Sequence, residues 1–237
     1  RYSHDPETLT PTGLYLEPAA TNLITYSEDL TNSGAWNNFG SGGSLTKTQD
    51  LNIVNPTGST GASKIEISRP DITTWRAVRS NNITIPGSDV NTVSAWIKAA
   101  TTSDVGKLVS IWQYDNGIRF KQHVALTDKW VRVSFTSDQA TGYTGEPLNI
   151  GVLQNTHVID GVANTETSVN FYVWGAQVET GSYATSYIPT SGSSVTRPAD
   201  TYTSTATTVL DRDGGNKEAW FKPEGSSLYF EAGEPKN

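Results

Sequence analysis

Seven residues of this sequence combine aromatic rings and basic groups at spacings that could bring them to one surface. They lie in two stretches, a polar segment at 71–76 and an alternating segment at 107–126. An aromatic ring can pack on the apolar face of a sugar, while basic side chains can bind hydroxyl or carboxylate groups. The candidate carbohydrate-binding residues are therefore Trp75, Arg76, Trp112, Tyr114, Arg119, Lys121 and His123.

The same residue types also suit a contact between subunits. Tryptophan, tyrosine and arginine are enriched in protein interfaces relative to the rest of the surface. The sequence thus leaves two uses open for this surface, which are the binding of a glycan and packing within an assembly.

The sequence contains no recognisable pattern for enzymatic chemistry. It has no cysteine, and its three histidines, His4, His123 and His157, have no metal-ligand spacing. The motifs HExxH and GxSxG do not occur, nor does a phosphate-binding glycine-rich loop. The chain is expected not to be an enzyme. A fragment of a polysaccharide depolymerase remains an alternative, because paired carboxylates are defined by their separation in space rather than in sequence.

The segment 211–216 (DRDGGN) resembles a calcium-binding loop at its start only. An EF-hand loop requires an oxygen ligand at its fifth position, where this chain has Gly215. The segment is expected to form a turn, and no metal ion or other cofactor is predicted.

Charge and hydropathy exclude further partner classes. The net charge is −7, whereas a nucleic-acid-binding surface or a surface that binds anionic lipid needs an excess of basic residues. No run of about 18 apolar residues exists, so membrane insertion through a helix is not expected. Neither nucleic acid nor a membrane is predicted as a partner.

Short alternating runs dominate the chain and predict β-strands. They are rich in valine, isoleucine, threonine and aromatic residues, and they are separated by Gly, Asn, Asp or Pro. Many such strands, with no amphipathic helix between them, predict an all-β fold, an antiparallel jelly-roll β-sandwich. The runs are ASKIEIS (62–68), TVSAWIK (92–98), KLVSIWQY (107–114), IRFKQHVAL (118–126), WVRVSFT (130–136), LNIGVL (148–153) and SVNFYVWGAQV (168–178).

One hairpin is especially clear. The turn 115–117 (DNG) joins two of these runs, and Asn-Gly accepts the positive φ of a tight hairpin turn. Alternation then places Val109 and Ile111 on the core side, and Trp112 and Tyr114 on the outward side.

The tryptophans are expected to divide between core and surface. Aromatic residues dominate the cores of sandwiches, so most are assigned to the core. Those assigned there are Trp36, Trp96, Trp130 and Trp174, whereas Trp75 and Trp112 are the surface candidates.

Two terminal segments resemble proteins of bacteriophage tail fibres and head spikes. In residues 1–36 the matching pieces are HDP, TNL and YSED followed by Trp36, and in residues 173–200 they are GAQVE, ATSYIPT and VTRPAD. A third piece, EGSSLYFE within 218–231, resembles the opening strands of a concanavalin-like domain. The segments GASKIEIS, TVSAWIKA, WVRVSFT and NFYVWGAQV resemble the jelly roll of carbohydrate-binding modules of the 4/9/22 type.

This resemblance implies a function on a virion. The chain would be a structural and adhesive part of a phage fibre or spike, with host cell-surface polysaccharide and other virion subunits as partners, and it would form a homotrimer. The alternatives are a spacer or assembly domain without a ligand, a depolymerase fragment, or an accessory module of a secreted bacterial enzyme. Modules of this type often hold a calcium ion with an acidic residue in the last strand, but residues 172–177 contain no carboxylate.

The expected domain organisation has three parts. Residues 1–14 would be an N-terminal connector, residues 15–200 the jelly roll, and residues 201–237 a linker followed by a tail or the start of a concanavalin-like domain. Segments rich in Gly, Ser, Thr and Asn predict loops at 34–45 and 52–60 and an exposed linker at 191–208.

Overall fold

The computed structural model describes residues 2–4, 11–14, 16–85, 90–114, 118–137, 147–201, 221–224 and 227–230. For residues 2–4, 11–14, 114, 118–121, 221–224 and 227–230 only the backbone is described. The chain divides into two compact units, one formed by residues 21–196 and the other by residues 1–20 together with 197–237. The expected boundaries at residues 14 and 200 stay a prediction.

The described residues form sixteen strands and one turn of 3-10 helix, Thr102–Asp104. The strands are β1 (Tyr2–His4), β2 (Pro11–Leu14), β3 (Ala20–Asn22), β4 (Trp36–Ser41), β5 (Ser44–Val54), β6 (Thr60–Ser68), β7 (Trp75–Ser80), β8 (Asn91–Ala99), β9 (Leu108–Tyr114), β10 (Ile118–Ala125), β11 (Val131–Ser137), β12 (Leu148–Val152), β13 (Ser168–Thr180), β14 (Val195–Arg197), β15 (Phe221–Glu224) and β16 (Ser227–Phe230).

Two five-stranded antiparallel sheets make up the sandwich. The front sheet has the strand order β10-β9-β12-β7-β4, and the back sheet has the order β11-β8-β13-β6-β5. Consecutive strands often lie in different sheets, as in a jelly roll. The expected fold, an all-β antiparallel jelly-roll β-sandwich, is confirmed.

Alternating residues from the two sheets meet in one apolar core. Ile111 and Ile150 of the front sheet face inward, as do Ile97 and Phe171 of the back sheet, and all are almost completely buried. Trp36 is also part of this core, and its indole Nε1 donates a hydrogen bond to the Tyr26 carbonyl at 2.8 Å. The predicted inward positions of Val109 and Ile111 are confirmed.

Three of the tryptophans expected in the core lie outside the apolar core between the two sheets. Trp96 and Trp174 point to the outer side of the back sheet, where their ring centroids are 5.4 Å apart and both contact Tyr187. Trp130 belongs to the same cluster, since its Nε1 donates to the Val54 carbonyl at 2.7 Å. The core assignment holds for Trp174, which is buried, but in a second apolar cluster against which the partly buried Trp96 and Trp130 pack. This cluster exists because the end of the β5–β6 hairpin covers the outer side of the back sheet.

The segments 34–45 and 52–60 are not wholly loops, as the sequence suggested. Residues 36–41 form β4, and residues 44–54 form β5, with the turn between them at Gly42 and Gly43, both at φ +71°. The strands were missed because β5 is an edge strand whose side chains are mostly polar and partly exposed. The expected linker at 191–208 likewise contains β14, which pairs with β3.

Residues that precede and follow the sandwich in sequence form a buried ionic contact within the smaller unit. The guanidinium of Arg197 lies 2.9 Å from the carboxylate of Glu17, and the backbone amide of Asp200 donates to the Glu17 carbonyl at 2.9 Å. Glu17 lies in the resembling segment 1–36, and Arg197 and Asp200 lie in the VTRPAD piece. Those pieces therefore have a structural role in joining the incoming and outgoing chain.

In the part of the chain that the structure describes, no helix has the length and apolar character needed to cross a membrane.

Candidate functional site

The outer face of the front sheet, here called the front face, carries the site suggested by the sequence. Residues paired directly across antiparallel strands share a face, so the registers define it. Its members are Asn37, Phe39, Ser41, Trp75, Ala77, Arg79, Asn149, Gly151, Ser110, Trp112, Lys121 and His123.

The front face is open at the β4–β7 side. Phe39 and Trp75 are both half-buried, and their rings meet edge to face with centroids 4.4 Å apart. The guanidinium carbon of Arg79 lies 4.0 Å from the Phe39 ring centre, which is cation–π geometry. Asn37 and Ser41 are exposed on the same strand as Phe39. This end therefore offers two aromatic rings, one cation and two polar side chains to solvent.

A rigid turn holds Trp75 in place. The Asp71 carboxylate accepts hydrogen bonds from the backbone amide and hydroxyl of Thr73, at 2.8 and 2.6 Å, and these bonds lower the pKa of Asp71. The buried guanidinium of Arg69 donates to the carbonyls of Ile72 and Thr74. Because the turn is fixed from both sides, the indole at its end is preorganised.

Arg69 also fixes a second loop beside the front sheet. Its guanidinium donates to the carbonyls of Leu153, Asn164 and Glu166 at 2.9, 3.1 and 2.5 Å. Burial lowers the pKa of Arg69, an effect opposed by the nearby charges of Asp71 and Glu166. Arg69 thus connects the turn that carries Trp75 with the loop after β12.

The front face is closed at its centre, where Trp112 is only 1% exposed. Its indole packs against Ala77 and Leu153 in a small cluster separate from the main core. The prediction that Trp112 is an exposed platform was wrong. The strand alternation was correct, but the small Ala77 on a neighbouring strand and Leu153 after β12 enclose the indole.

His123 lies on the front face within a polar network. Its Nδ1 is hydrogen-bonded to the Ser110 hydroxyl at 2.9 Å, and Asn164 donates to the same hydroxyl at 3.3 Å. Ser110 and Asn164 are fully buried. This arrangement orients the imidazole and indicates a structural contribution from His123.

Arg76 does not belong to the front face. It pairs with Gly40 and Val152, and its guanidinium donates to the carbonyls of Gly42 and Gly43 at 2.5 and 2.6 Å. Its prediction as a carbohydrate-binding residue on the same surface as Trp75 does not fit this geometry, because neighbouring residues of a strand point to opposite faces. Arg76 instead supports the β4–β5 turn.

The remaining predicted residues have only their backbones described. Lys121 pairs with Trp112 and so occupies a front-face position, while Tyr114 and Arg119 lie at or near the irregular end of the β9–β10 ladder. The side chains of all three are outside the described residues, as is the 115–117 turn. The antiparallel pairing of β9 with β10 is confirmed.

Sequence reasoning missed Phe39 and Arg79. Phe39 is the one apolar residue between Asn37 and Ser41, and an aromatic ring isolated in a polar alternating stretch is a signal for a surface platform. That signal was hidden because the stretch was interpreted as a loop.

Among the residues described, no three His, Asp or Glu side chains lie close enough to hold a metal ion. Glu179 of β13 is fully buried, but its two oxygens accept hydrogen bonds from the Thr185 amide and hydroxyl at 2.8 and 2.7 Å. This carboxylate therefore stabilises the loop that follows β13.

Comparison with known proteins gives structural neighbours only. No protein-family model and no curated protein matches the sequence. The fold is similar to an enzymatically active domain of bacteriophage CBA120 tailspike protein 4, at 13% identity and a TM-score of 0.46 over 68% of this chain. This chain spans only 21% of that tailspike structure.

Other structural neighbours are carbohydrate-binding modules. The CBM22-1 xylan-binding domain of Paenibacillus barcinonensis Xyn10C is 13% identical, with a TM-score of 0.43, 73% of this chain covered and 98% of that domain. The family 11 module of a Clostridium thermocellum cellulase is 9% identical, with a TM-score of 0.40, 66% of this chain covered and 92% of that module. At these identities the likeness concerns the β-sandwich alone.

Proposed function

We propose that the chain is a carbohydrate-binding module that holds a glycan on the open side of its front face. The observation that carries the proposal is the half-buried pair of Phe39 and Trp75, with Arg79 beside it. A sugar ring presents an apolar face to aromatic rings and hydroxyl groups to polar side chains. Asn37 and Ser41 supply such polar groups on the same strand.

The wider setting in this proposal is the fibre or spike of a bacteriophage virion. The sequence pieces at 1–36 and 173–200 support it. In that setting the module is adhesive and non-catalytic, and its partners are host surface polysaccharide and other subunits of a homotrimer. Repeated copies would raise the effective concentration of sites, so a weak individual site is sufficient.

Glycan binding by single-residue variants tests the site. Full-length protein and the variants Trp75→Ala and Phe39→Ala are applied to a glycan array, and hits are measured by titration. Each variant is expected to lose at least tenfold in affinity, about 1.4 kcal/mol, because one stacking partner is removed. Tyr183→Ala is the matched control, an exposed aromatic in the loop after a back-sheet strand.

Unchanged affinity in both front-face variants would remove this site from consideration. Shortening of a bound polysaccharide on prolonged incubation would contradict the non-catalytic part and favour the depolymerase alternative. Absence of any glycan binding, together with a trimer that dissociates in Trp75→Ala, would favour the alternative of an assembly domain.

A further inference from the structure

We propose that the glycan held on the front face is anionic, an inference that rests on the proposed function. The observation behind it is the distribution of charge between the two sheets. The chain as a whole is acidic, with 24 aspartate and glutamate residues against 17 lysine and arginine residues. The front sheet departs from this balance.

None of the five strands of the front sheet contains an aspartate or a glutamate. Of the lysine and arginine residues in these strands, Arg79 and Lys121 occupy front-face positions, whereas Arg76 lies on the opposite side of β7. The back sheet is mixed, because its strands contain Asp50, Glu66 and Glu179 as well as four basic residues. Acidic groups are therefore depleted on one sheet only.

Two of these basic residues share a row across the front face. Asn37, Arg79, Asn149, Trp112 and Lys121 are consecutive partners from β4 to β10. Strands lie about 4.8 Å apart, so the backbone positions of Arg79 and Lys121 are separated by about 14 Å across three strand spacings. A polymer with repeated anionic groups can meet such spaced cations at more than one point.

Arg79 is the cation best placed to contact a ligand at the aromatic pair. Its position over the Phe39 ring fixes the guanidinium beside the surface on which a sugar would stack. Guanidinium forms two parallel hydrogen bonds with a carboxylate, which adds direction to the charge attraction. The nearest acidic residue before Trp75 is Asp71, whose carboxylate already accepts bonds from Thr73 and Thr74.

Because the molecule as a whole is acidic, binding of an anionic polymer requires a contact surface with few acidic residues. A protein with a net charge of −7 repels an anionic polymer at long range, and the lack of acidic residues among the front-face positions reduces that repulsion where contact occurs.

Matched pairs of polymers test the charge of the ligand. The full chain is titrated with polygalacturonate and its methyl ester, and with dextran sulfate and dextran, which separate carboxylate from sulfate recognition. The array used for the proposed function includes neutral and acidic glycans. At low salt the anionic member of at least one pair is expected to bind at least tenfold more tightly, and added NaCl is expected to reduce the difference.

Variants of Arg79 connect the preference to the front face. Arg79→Gln is expected to reduce the anionic preference about tenfold, whereas Arg79→Lys retains most of it because the charge is kept. Lys64→Gln is the control, since Lys64 lies on the back sheet and is paired with Glu66 at 2.8 Å. Circular dichroism shows whether each variant is folded.

The outcomes separate the two proposals. Equal or tighter binding of neutral glycans, with loss of binding in Trp75→Ala, overturns the anionic inference and leaves the glycan site intact. Equal anionic preference in Arg79→Gln and the unsubstituted protein also overturns it. Absence of binding to every neutral and anionic probe overturns both proposals together.

Discussion

Single residues in this protein show how burial separates side chains that look alike in the sequence. Trp75 and Trp112 both belong to alternating, partly polar segments, and both lie on the front face. Only Trp75 is partly open to solvent, because Trp112 is enclosed against Ala77 and Leu153. Trp75 can therefore contact a ligand, whereas Trp112 stabilises the fold.

Alanine substitutions of the two tryptophans should therefore differ in their effect on folding. Trp112→Ala is expected to lower the free energy of unfolding by about 3–5 kcal/mol, since it empties a buried space. Trp75→Ala is expected to cost about 1 kcal/mol, mainly the aromatic contact with Phe39. Urea unfolding followed by circular dichroism measures both values, and equal losses would contradict the difference in burial.

Arginine residues give a second contrast. Arg69→Met is expected to cost about 3 kcal/mol or more, because several buried carbonyls lose their donor and each costs about 1–3 kcal/mol. Arg76→Met removes bonds to exposed carbonyls of the β4–β5 turn and is expected to cost about 1 kcal/mol. Arg69→Lys should not restore stability, because one ammonium group cannot span the same acceptors.

Thermal or urea unfolding of these three variants provides the measurement. Similar losses for Arg69→Met and Arg76→Met would mean that the carbonyls around Arg69 find other donors. Full stability in Arg69→Lys would have the same meaning.

The sequence predicted individual residues well only where local alternation decides their surroundings. Val109 and Ile111 were placed correctly because strand alternation alone sends them inward. The burial of Trp112 depends on Ala77 and Leu153, which come from parts of the chain far away in the sequence. Pairing between distant strands is set by the whole fold, so the open platform at Phe39 and Trp75 could not be derived from a single segment.

Among strands, too, local alternation was predicted from the sequence, whereas features set by distant parts of the chain were not. Apolar alternating strands such as β8 and β13 were predicted, whereas the polar edge strand β5 was not predicted and both of its ends were placed in loops. An edge strand has one unpaired side, and polar residues are common there. The Asn38 side chain donates to the Leu45 carbonyl at 2.9 Å and so satisfies part of this edge.

Glycine substitutions test the turn that joins β4 to β5. A Cβ on Gly43 would lie 2.1 Å from the Ser68 carbonyl oxygen, whereas a Cβ on Gly58 would meet no atom within 4 Å. Both glycines have positive φ, so each alanine variant loses about 1 kcal/mol from backbone strain. Gly43→Ala is expected to cost at least about 1–3 kcal/mol more because of the clash.

The free energies of unfolding of the two glycine variants provide the comparison. Because φ is positive at both positions, Gly58→Ala controls for backbone strain. Equal losses would show that the β4–β5 turn moves away from β6 without cost.

At the scale of the whole sandwich, the two ends of residues 21–196 are held together. The hydroxyls of Thr21 and Thr196 are 2.7 Å apart, although 175 positions separate them in sequence. The adjoining strands β3 and β14 are paired with each other. The fold is thus closed where the chain enters and leaves it.

A disulfide between these positions should stabilise the sandwich. The chain has no cysteine, so Thr21→Cys with Thr196→Cys gives a single possible bond. Closing so long a loop is expected to raise the free energy of unfolding by about 4 kcal/mol relative to the reduced form. Urea unfolding with and without reductant measures the gain, and glycan affinity should be equal in both forms. No gain on oxidation would contradict the paired geometry of β3 and β14.

The pairing of β3 with β14 also has a mechanical consequence. A force applied through the segments before β3 and after β14 would act first on this two-stranded pair, because it enters and leaves the sandwich at adjacent points. The two large sheets would experience little tension until β3 and β14 separate. The front face belongs to the part of the protein that this pairing protects from tension. It can therefore stay folded and hold a ligand while the flanking segments are stretched.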